Sequence, residues 1–294
     1  MSRNIAAIYG MQTAPRYRSD PRVKYSDIGI GIEIEAEGFD FGDDVSDLSF
    51  WNIKEDGSLR NGGVEFCSKI LFGQDITDAL AEAEEYLQEL DINWRAGIHV
   101  HVDVRDLSAN ELINVCALYS ILEPIIFAWE GNNRQDSNFC VPWFINHTPL
   151  VSLGELLKSL QTKGDVSRTD FRSIEQLGKY SALNLIPVRS QGSIEFRIMQ
   201  STADINRIIE FANICMTIVR EGSKLDTSPL YLVSELGPTE FLKRTLGLDI
   251  LADQVRNHSE LIWRGIDAAN ILPALEHDID LSRSMQSPDN FPII

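Results

Sequence analysis

The segment from Gly29 to Gly38, Gly-Ile-Gly-Ile-Glu-Ile-Glu-Ala-Glu-Gly, constrains the fold more than any other part of the chain. Its residues alternate with a period of two, which places the isoleucines on one face of a predicted β-strand and Glu33, Glu35 and Glu37 on the other. Neighbouring glutamates on that face would lie about 7 Å apart and would repel one another unless the face were wet or held a cation. A solvated outer face and a carboxylate platform for divalent cations are both compatible with this strand.

The composition is that of an acidic protein with an ordinary core. The 294 residues are 44% hydrophobic and 24% charged, and 26 basic against 44 acidic side chains give a net charge of −18. This charge disfavours nucleic acid and anionic membranes as partners, because both attract basic surfaces. The N-terminus has no signal-peptide core, no apolar run approaches the roughly 20 residues that span a bilayer, and no cysteines form a C-x-x-C pair. We therefore expect a cytoplasmic protein with reduced cysteines.

Three further segments repeat the design of an apolar face opposite a polar one. Their polar faces carry, in chain order, Glu65, then His99 and His101, then Glu195 and Arg197. One such strand could be a wet surface, but four strands with polar faces rich in metal-ligand residue types weaken that interpretation. Carboxylates with one or two imidazoles suit Mg²⁺ or Mn²⁺ better than structural zinc, and the guanidinium of Arg197 suits phosphate oxygens. Phosphoryl transfer needs carboxylates that hold Mg²⁺ and a cation that binds phosphate, and these strands supply both.

The remaining periodic segments predict helices that would cover the apolar faces. Helices are expected over residues 75–90, from Ser108 to about Trp129 with a kink or break near Pro124, over 154–162, and from Asp204 to about Arg220. Residues 179–185 are predicted to form a strand. Residues 131–150 are predicted to form a long loop, which in a compact domain is often functional. We interpret the four cysteines as buried spacers and Glu37 as an exposed carboxylate without a partner.

Several common catalytic motifs are absent, including the P-loop, the G-x-S-x-G elbow, the H-E-x-x-H helix and a G-x-G-x-x-G turn after a strand. The motifs that are present follow one order: Gly31-Ile-Glu33-Ile-Glu35, Lys54-Glu-Asp56-Gly-Ser58 followed by Glu65, Gly97-Ile-His99-Val-His101-Val, Asn184, and Ile194-Glu195-Phe-Arg197. In this order they resemble the putative amidoligase family, which belongs with glutamine synthetase and glutamate–cysteine ligase among the carboxylate–amine ligases. The resemblance covers about residues 28 to 220.

The resemblance implies an α+β fold in which a curved, mainly antiparallel β-sheet has a concave metal- and ATP-binding face and helices packed on the other face, as in the catalytic domain of glutamine synthetase. We expect three parts: an N-terminal arm or lid over residues 1–27, a catalytic domain over 28–220, and a helical extension over 221–294 packed on the same domain. The arm carries Arg16, Arg18 and Arg22, for which the family offers no counterpart. A solvated arm and an anion-binding lid are both compatible with it.

The resemblance also implies roles for individual residues. Two or three Mg²⁺ or Mn²⁺ ions would bind ATP phosphates at the sheet, with Glu33 and Glu35 as ligands of the two main ions. Glu65 would join one of these ions, and His99 and Glu195 the other. His101 would lie near the phosphates, and Arg197 would stabilise charge on the transferred γ-phosphoryl group. Further candidates for substrate or nucleotide contacts are Lys54, Asp56, Asn184 and Arg189. The candidates for a catalytic role are Glu33, Glu35, Asp56 and Arg197.

The implied reaction is an ATP-dependent ligation. A small-molecule or peptide carboxylate would be phosphorylated to an acyl phosphate, and an amine would then displace phosphate to form an amide or isopeptide bond. Two other functions are compatible with the same residues: a phosphotransferase resembling the guanidino kinases on the same fold, and a non-catalytic protein that binds nucleotide and metal. A metal-dependent hydrolase receives no special support from the Glu-Phe-Arg strand.

Overall fold

The structure of the protein is a computed structural model. It describes residues 3–12, 18–40, 48–131, 134–257 and 260–272. Six strands form one sheet in the order β2-β3-β1-β4-β6-β5, and every neighbouring pair is antiparallel. The strands are β1 (Ile30–Ala36), β2 (Trp51–Glu55), β3 (Val64–Ser68), β4 (Gly97–Asp103), β5 (Leu183–Asn184) and β6 (Ser193–Gln200). The predicted α+β class, with an antiparallel sheet and packed helices, is confirmed.

The described helices are interleaved with the strands along the chain and continue after the last strand toward the C-terminus. They are α1 (Ile5–Tyr9), α2 (Gln74–Glu89), α3 (Ala109–Glu130), α4 (Thr148–Lys163), α5 (Arg172–Glu175), α6 (Pro187–Ser190), α7 (Ile205–Ser223), α8 (Pro229–Leu236), α9 (Pro238–Glu240), α10 (Asp249–Asn257) and α11 (Glu260–Ala269). A 3₁₀ turn at Arg168–Phe171 and a π turn at Phe241–Leu246 connect some of them.

The apolar face of the sheet and the helices that cover it form the core. The side chains of Ile30, Ile32 and Ile34 in β1 are at most 1% exposed, and α7 and α3 pack against β4 and β6. Burying one such side chain contributes about 1.5–3 kcal/mol, so the alternating isoleucines fix which face of β1 turns inward. The glutamates of β1 therefore lie on the opposite face of the sheet.

Helix α3 lies at the centre of the helical layer. It begins with a capping box, in which Ser108 Oγ accepts from Glu111 N and the Glu111 side chain accepts from Ser108 N. The helix continues through Pro124 without ending, so the predicted break does not occur. Its length and apolar composition would suffice to cross a membrane, but 89% of its most apolar 18-residue window is buried inside the protein, as expected of a core helix.

The terminal segments also pack on this body where they are described. Ile5 is fully buried, and its N–H donates to Leu107 O at 2.8 Å. Lys24 Nζ donates to Leu246 O at 2.9 Å, and α11 approaches α3 closely at Gly265. The division into arm, catalytic domain and extension stays a prediction.

The predicted basic arm is described only in part. Arg16 lies outside the described residues. Arg18 forms exposed ion pairs with Asp75 and Asp78 of α2, at 3.2 and 3.6 Å, and Arg22 pairs with the buried Asp20 at 3.2 Å. Arg18 and Arg22 are therefore matched by acidic side chains rather than directed at the polar face of the sheet.

Two element predictions are wrong in extent. The strand predicted over residues 179–185 contains only the two residues of β5, because Ser181 pairs with Val141 and Ala182 N donates to Val141 O at 2.9 Å. The helix predicted from Gly154 begins at Thr148, where Pro149 occupies the first turn. A proline is favourable at this position, because the first turn has no use for its missing N–H.

Candidate functional site

The register of the strands gathers ionisable side chains from the whole width of the sheet onto one face. Lys54 of β2 lies opposite Glu65 of β3, Glu65 opposite Glu35 of β1, Glu33 opposite His99 of β4, His101 opposite Glu195 of β6, and Glu195 opposite Asn184 of β5. Residues that are directly opposite on one face are close enough for their side chains to interact. Candidate residues that are up to 162 positions apart in the sequence thus share one patch.

A β-bulge shapes the centre of this patch. The register of β4 and β6 shifts between Ile98 and Val100, which leaves Arg197 and Ile198 together opposite His99. Bulges of this kind redirect side chains and are common beside active sites. Here the bulge lets both Arg197 and Glu195 reach the imidazole of His99, since Arg197 Nη1 and Glu195 Oε1 each lie 3.4 Å from its Nδ1.

His99 is the most enclosed member of the patch, with its side chain 1% exposed. Its Nδ1 lies 3.2 Å from Glu33 Oε2, and its Nε2 lies 3.5 Å from Glu35 Oε1. The second contact lacks hydrogen-bond geometry, so Nε2 is buried without a hydrogen-bond partner. The other oxygen of Glu35 accepts from Gly97 N at 2.7 Å, which fixes that carboxylate beside the imidazole.

Glu33 lies between the two histidines of β4. His101 Nε2 is 3.3 Å from Glu33 Oε1, again without hydrogen-bond geometry. Burial raises the pKa of Glu33, but interactions with His101 and His99 outweigh burial and leave the pKa well below its ordinary value. Burial lowers the pKa of His101, but Glu33 and Glu195 outweigh it and raise this pKa. The pair therefore favours an ionised carboxylate facing a protonated imidazole when nothing else is bound.

A second group lies on β3 beside Glu33. Cys67 Sγ donates to Glu65 Oε2 at 3.1 Å and accepts from Lys54 Nζ at 3.2 Å. Burial and the carboxylate of Glu33 raise the pKa of Glu65. Burial and the nearby Glu65 also raise the pKa of Cys67 to about 12, so the thiol stays protonated near neutral pH and is a poor nucleophile.

Glu195 is held from two sides on β6. Asn184 Nδ2 donates to Glu195 Oε2 at 2.6 Å, and Arg197 Nη1 pairs closely with Glu195 Oε1. Arg197 Nε also donates to Phe139 O at 3.3 Å. The guanidinium, with its side chain 11% exposed, is therefore oriented by the loop before α4 as well as by the sheet.

The donor set fits divalent metal ions. Three groups have ligand atoms that all lie within 4.8 Å of one another: Glu33 with His101 and Glu195, Glu33 with Glu65 and Cys67, and Glu35 with Glu65 and His99. Oxygen-rich sets with one imidazole suit Mg²⁺ or Mn²⁺. The buried Nε2 atom of His99 faces the carboxylate of Glu35 without hydrogen-bonding it, which is the arrangement expected of a nitrogen lone pair that binds a cation.

Two cavities open on either side of this cluster. The larger, about 430 Å³, borders Gly31, Glu33, His101 and three basic side chains, those of Lys54, Lys69 and Arg105. The smaller, about 230 Å³, borders Glu35, Glu65, His99 and Arg197, and its lining also includes Asp56 and the exposed side chains of Phe139, Lys179 and Tyr180. The carboxylates and imidazoles therefore form a boundary between two cavities of mixed charge, since the larger one also borders Asp103, which is paired with Arg105.

The structure places the remaining candidate residues differently. Asp56 lies at the wall of the smaller cavity, where its oxygens accept from Ser58 N and Ser58 Oγ. Arg189 borders neither cavity; it is half-exposed and lies 3.4 Å from a carboxylate oxygen of Glu175. The prediction for Glu37 is wrong: it is 2% exposed and forms an ion pair with Arg95 at 2.7 Å.

Sequence reasoning missed several residues at this site. Cys67 faces the patch rather than the core, a position that its spacing of two from Glu65 could have shown. Phe139 and Tyr180 reach the smaller cavity from loops, with no local signal. Arg134 is 1% exposed, and its guanidinium has no hydrogen-bond partner among the described residues. It lies against Gly97, where an added Cβ would come within 2.4 Å of Arg134 Nη1.

Comparison with known protein families gives one match. The family described as "Putative amidoligase enzyme" matches residues 4–219 of this chain. The match spans all six strands and the helices from α1 to most of α7, and so includes every residue of the cluster. No curated protein matches the chain.

Proposed function

Because the chain belongs to the putative amidoligase family, we propose that it is an ATP-dependent carboxylate–amine ligase that forms an amide or isopeptide bond through an acyl phosphate. The family match supports a ligase that makes C–N bonds. The observation that carries the finer proposal is the buried imidazole of His99, whose Nε2 lies 3.5 Å from Glu35 Oε1 without a hydrogen bond and whose Nδ1 lies beside Glu33 and Glu195. We further propose that the sheet belongs to the glutamine synthetase type, with its polar face as the concave, ligand-binding side.

Five residues would hold the metal ions, two or three in number: Glu33, Glu35, Glu65, His99 and Glu195. Bound Mg²⁺ or Mn²⁺ would neutralise charge on the phosphate oxygens during transfer. Two of these side chains are held in position before an ion binds, because Gly97 N donates to Glu35 and Asn184 Nδ2 donates to Glu195. Ligands fixed by such secondary contacts lose little conformational freedom when an ion binds.

The larger cavity is the better place for ATP. Its volume of about 430 Å³ lies within the range of roughly 300–1,000 Å³ that accommodates drug-sized ligands. Lys54 and Lys69 supply positive charge around it, whereas Arg105 is paired with Asp103, and His101 lies at the boundary with the metal ligands. A raised pKa favours the protonated form of His101, which would attract phosphate oxygens.

The smaller cavity would then receive the acid and the amine. A carboxylate oxygen of the acid would attack the γ-phosphorus while the bond to the β-phosphate oxygen breaks and ADP leaves. Arg197, held at Glu195 and Phe139, would stabilise the transferred phosphoryl group with its fixed fork of donors. The amine nitrogen would next attack the acyl carbon. The bond between that carbon and the phosphate oxygen would break, and phosphate would leave with the electron pair. The carboxylate of Asp56 would accept the proton released by the amine.

Turnover assays test this proposal. Purified protein with Mg²⁺, ATP, and panels of acids and amines is expected to release ADP and free phosphate in step with an amide product. Glu33→Gln should abolish metal-dependent nucleotide binding, measured by calorimetry, whereas Glu85→Gln on the exposed surface of α2 should leave it unchanged. A phosphorylated guanidine without free phosphate would instead identify a phosphotransferase. Metal-dependent nucleotide binding without any release of ADP would instead indicate the non-catalytic role, and a lack of metal-dependent nucleotide binding in the unaltered protein would refute the proposal.

A further inference from the structure

Lys179 is an exposed cation that borders the smaller cavity, and it has no anionic partner in the part of the chain that the structure describes. Among the described residues, no carboxylate oxygen lies within the 4.0 Å of an ion pair from its Nζ, although the chain carries 18 more acidic than basic side chains. Its one described contact is with the ring of Tyr180, whose centroid is 5.0 Å from Nζ. The other two cations that border this cavity already have partners, since Arg95 pairs with Glu37 and Arg197 with Glu195. Lys179 is therefore available to a ligand.

An aromatic wall connects Lys179 to the centre of the site. The ring of Tyr180 meets the ring of Phe139 edge-on, with centroids 5.2 Å apart and planes at 88°. Phe139 in turn accepts a hydrogen bond from Arg197 Nε through its carbonyl oxygen. Phe139 and Tyr180 are 37% and 39% exposed, which is high for aromatic side chains beside a buried polar cluster. They offer an apolar surface between two cations, Arg197 at the inner end and Lys179 at the outer end.

This wall is held in place by the backbone. Val141 N donates to Tyr180 O at 2.7 Å, and Ala182 N donates to Val141 O at 2.9 Å, so the segments that carry Phe139 and Lys179 form one bridged unit. The backbone segments that carry Lys179 and the aromatic wall are therefore fixed relative to each other. An apolar wall with a cation at one end, and with Arg197 and the metal ligands at the other, suits a ligand with two anionic groups joined by a short carbon chain.

A second part of the cavity wall, formed by Glu55 and Asp56 at the end of β2, has the other sign. Glu55 is exposed, and the carboxylate of Asp56 is held by the turn through Ser58 N and Ser58 Oγ, at 2.8 and 2.9 Å. A second anionic group on the acid substrate would be repelled from this wall and attracted to the side of Lys179. The amine substrate, with the opposite charge, would be attracted to Asp56. The two walls thus separate the two substrates by charge.

From these features we propose that the smaller cavity binds an acid with a second anionic group, and that Lys179 determines this specificity. The carboxylate that reacts lies at the metal ligands and Arg197, the carbon chain lies along Phe139 and Tyr180, and the second anionic group pairs with Lys179. The volume of about 230 Å³ limits the acid to a small molecule or to the terminal residue of a larger one. This inference rests on the proposed ligase function for the identity of the reacting group.

A binding experiment tests the inference without turnover. Calorimetry would measure the affinity of α,ω-dicarboxylates of three to six carbons, and of monocarboxylates of the same lengths, for the full chain with Mg²⁺ and a non-hydrolysable ATP analogue. We expect at least one dicarboxylate to bind about tenfold more tightly than its monocarboxylate match, which corresponds to about 1.4 kcal/mol. Lys179→Gln should remove this preference, Lys179→Arg should retain most of it, and Lys158→Gln, on the exposed surface of α4, should leave it unchanged.

The outcomes separate this inference from the proposed function. If ATP binds with Mg²⁺ and the preference for dicarboxylates is absent, or persists in Lys179→Gln, the assignment of Lys179 is overturned while the ligase proposal stands. If nucleotide binding itself is absent, the ligase proposal fails, and a preference for dicarboxylates that Lys179→Gln removes would still identify the anion site. In turnover assays with an accepted diacid, Lys179→Gln should raise KM about tenfold and leave kcat within a factor of two, because Lys179 would contact the second anionic group and not the reacting one.

Discussion

Replacement of Glu123 by glutamine should make the protein more stable at alkaline pH. Glu123 lies in the middle of α3 and is fully buried, where Tyr119 Oη donates to one of its oxygens at 2.6 Å and Phe144 N to the other at 3.0 Å. Burial raises its pKa from 4.5 to about 7, although these hydrogen bonds oppose the rise. The contact with Phe144 anchors the loop that carries Phe139, so this buried carboxylate supports the wall of the smaller cavity.

The sign and size of the effect follow from linkage. The folded protein holds the proton of Glu123 more tightly than the unfolded chain does, so the unfolded state loses it first as the pH rises and stability falls between the two pKa values. With values of 4.5 and about 7, this one group should lower the free energy of unfolding by about 2 kcal/mol between roughly pH 5.5 and 8.5. Glutamine cannot ionise, and it can accept from Phe144 N while its amide donates to the oxygen of Tyr119.

Urea unfolding followed by tryptophan fluorescence and circular dichroism, in metal-free buffers across this pH range, would measure the difference between the two proteins. The stability of Glu123→Gln relative to the unaltered protein should grow steadily with pH and level off above the folded pKa. The matched change Glu85→Gln, on the exposed surface of α2, should give a difference that does not vary with pH. A constant difference between Glu123→Gln and the unaltered protein would refute the reasoning, because it would mean that the buried group has the same pKa in both states.

Two further substitutions test packing and charge. Gly265→Ala should destabilise the protein by about 1–3 kcal/mol in thermal unfolding, because the new Cβ would lie 2.0 Å from Ile121 O, a backbone atom that cannot rotate away. The control Gly178→Ala should be neutral, because a Cβ added there meets nothing within 4 Å. Arg95→Met should cost about 3–5 kcal/mol by leaving the buried Glu37 without its cation, and the added change Glu37→Gln should recover part of that loss. If Arg95→Met is as stable as the unaltered protein, the ion pair does not compensate the burial of Glu37.

Period-two patterning predicted the polar face of the sheet better than it predicted the partners of individual residues. Alternation is a local property, so it could place Glu33, Glu35, His99 and Glu195 on the polar faces of their strands before their neighbours were known. Glu37 lies on the same face by the same rule, but its partner Arg95 is 58 residues away. Whether a carboxylate on that face is exposed or buried depends on long-range pairing, which one sequence does not display.

The loops were the part that sequence could not position. Residues 131–150 were predicted to be functional because of their length, and the described part does bring Phe139 and Arg134 to the site. No pattern could show that Val141 would pair with Ser181 and so bring Lys179 to the same cavity. The β-bulge opposite His99 is likewise invisible in the alternation of β6, because Ile194, Phe196 and Ile198 continue their period of two through it.

Metal binding should stabilise the fold, and the size of the effect should depend on His99. A ligand that binds only the folded state stabilises it by about 2.7 kcal/mol when present at 100 times its dissociation constant. The four glutamates of the cluster lie close together, so ions would also relieve their mutual repulsion. Mg²⁺ or Mn²⁺, added after dialysis against a chelator, should therefore raise the melting temperature of the unaltered protein.

His99→Gln should respond much less to the added metal, because it loses the imidazole that lies nearest to Glu33, Glu35 and Glu195. His147→Gln, at the exposed start of α4, should respond like the unaltered protein. Equal responses in all three proteins would place the bound ions elsewhere, and the carboxylate cluster would then have to be held together by His99, His101 and Arg197 alone.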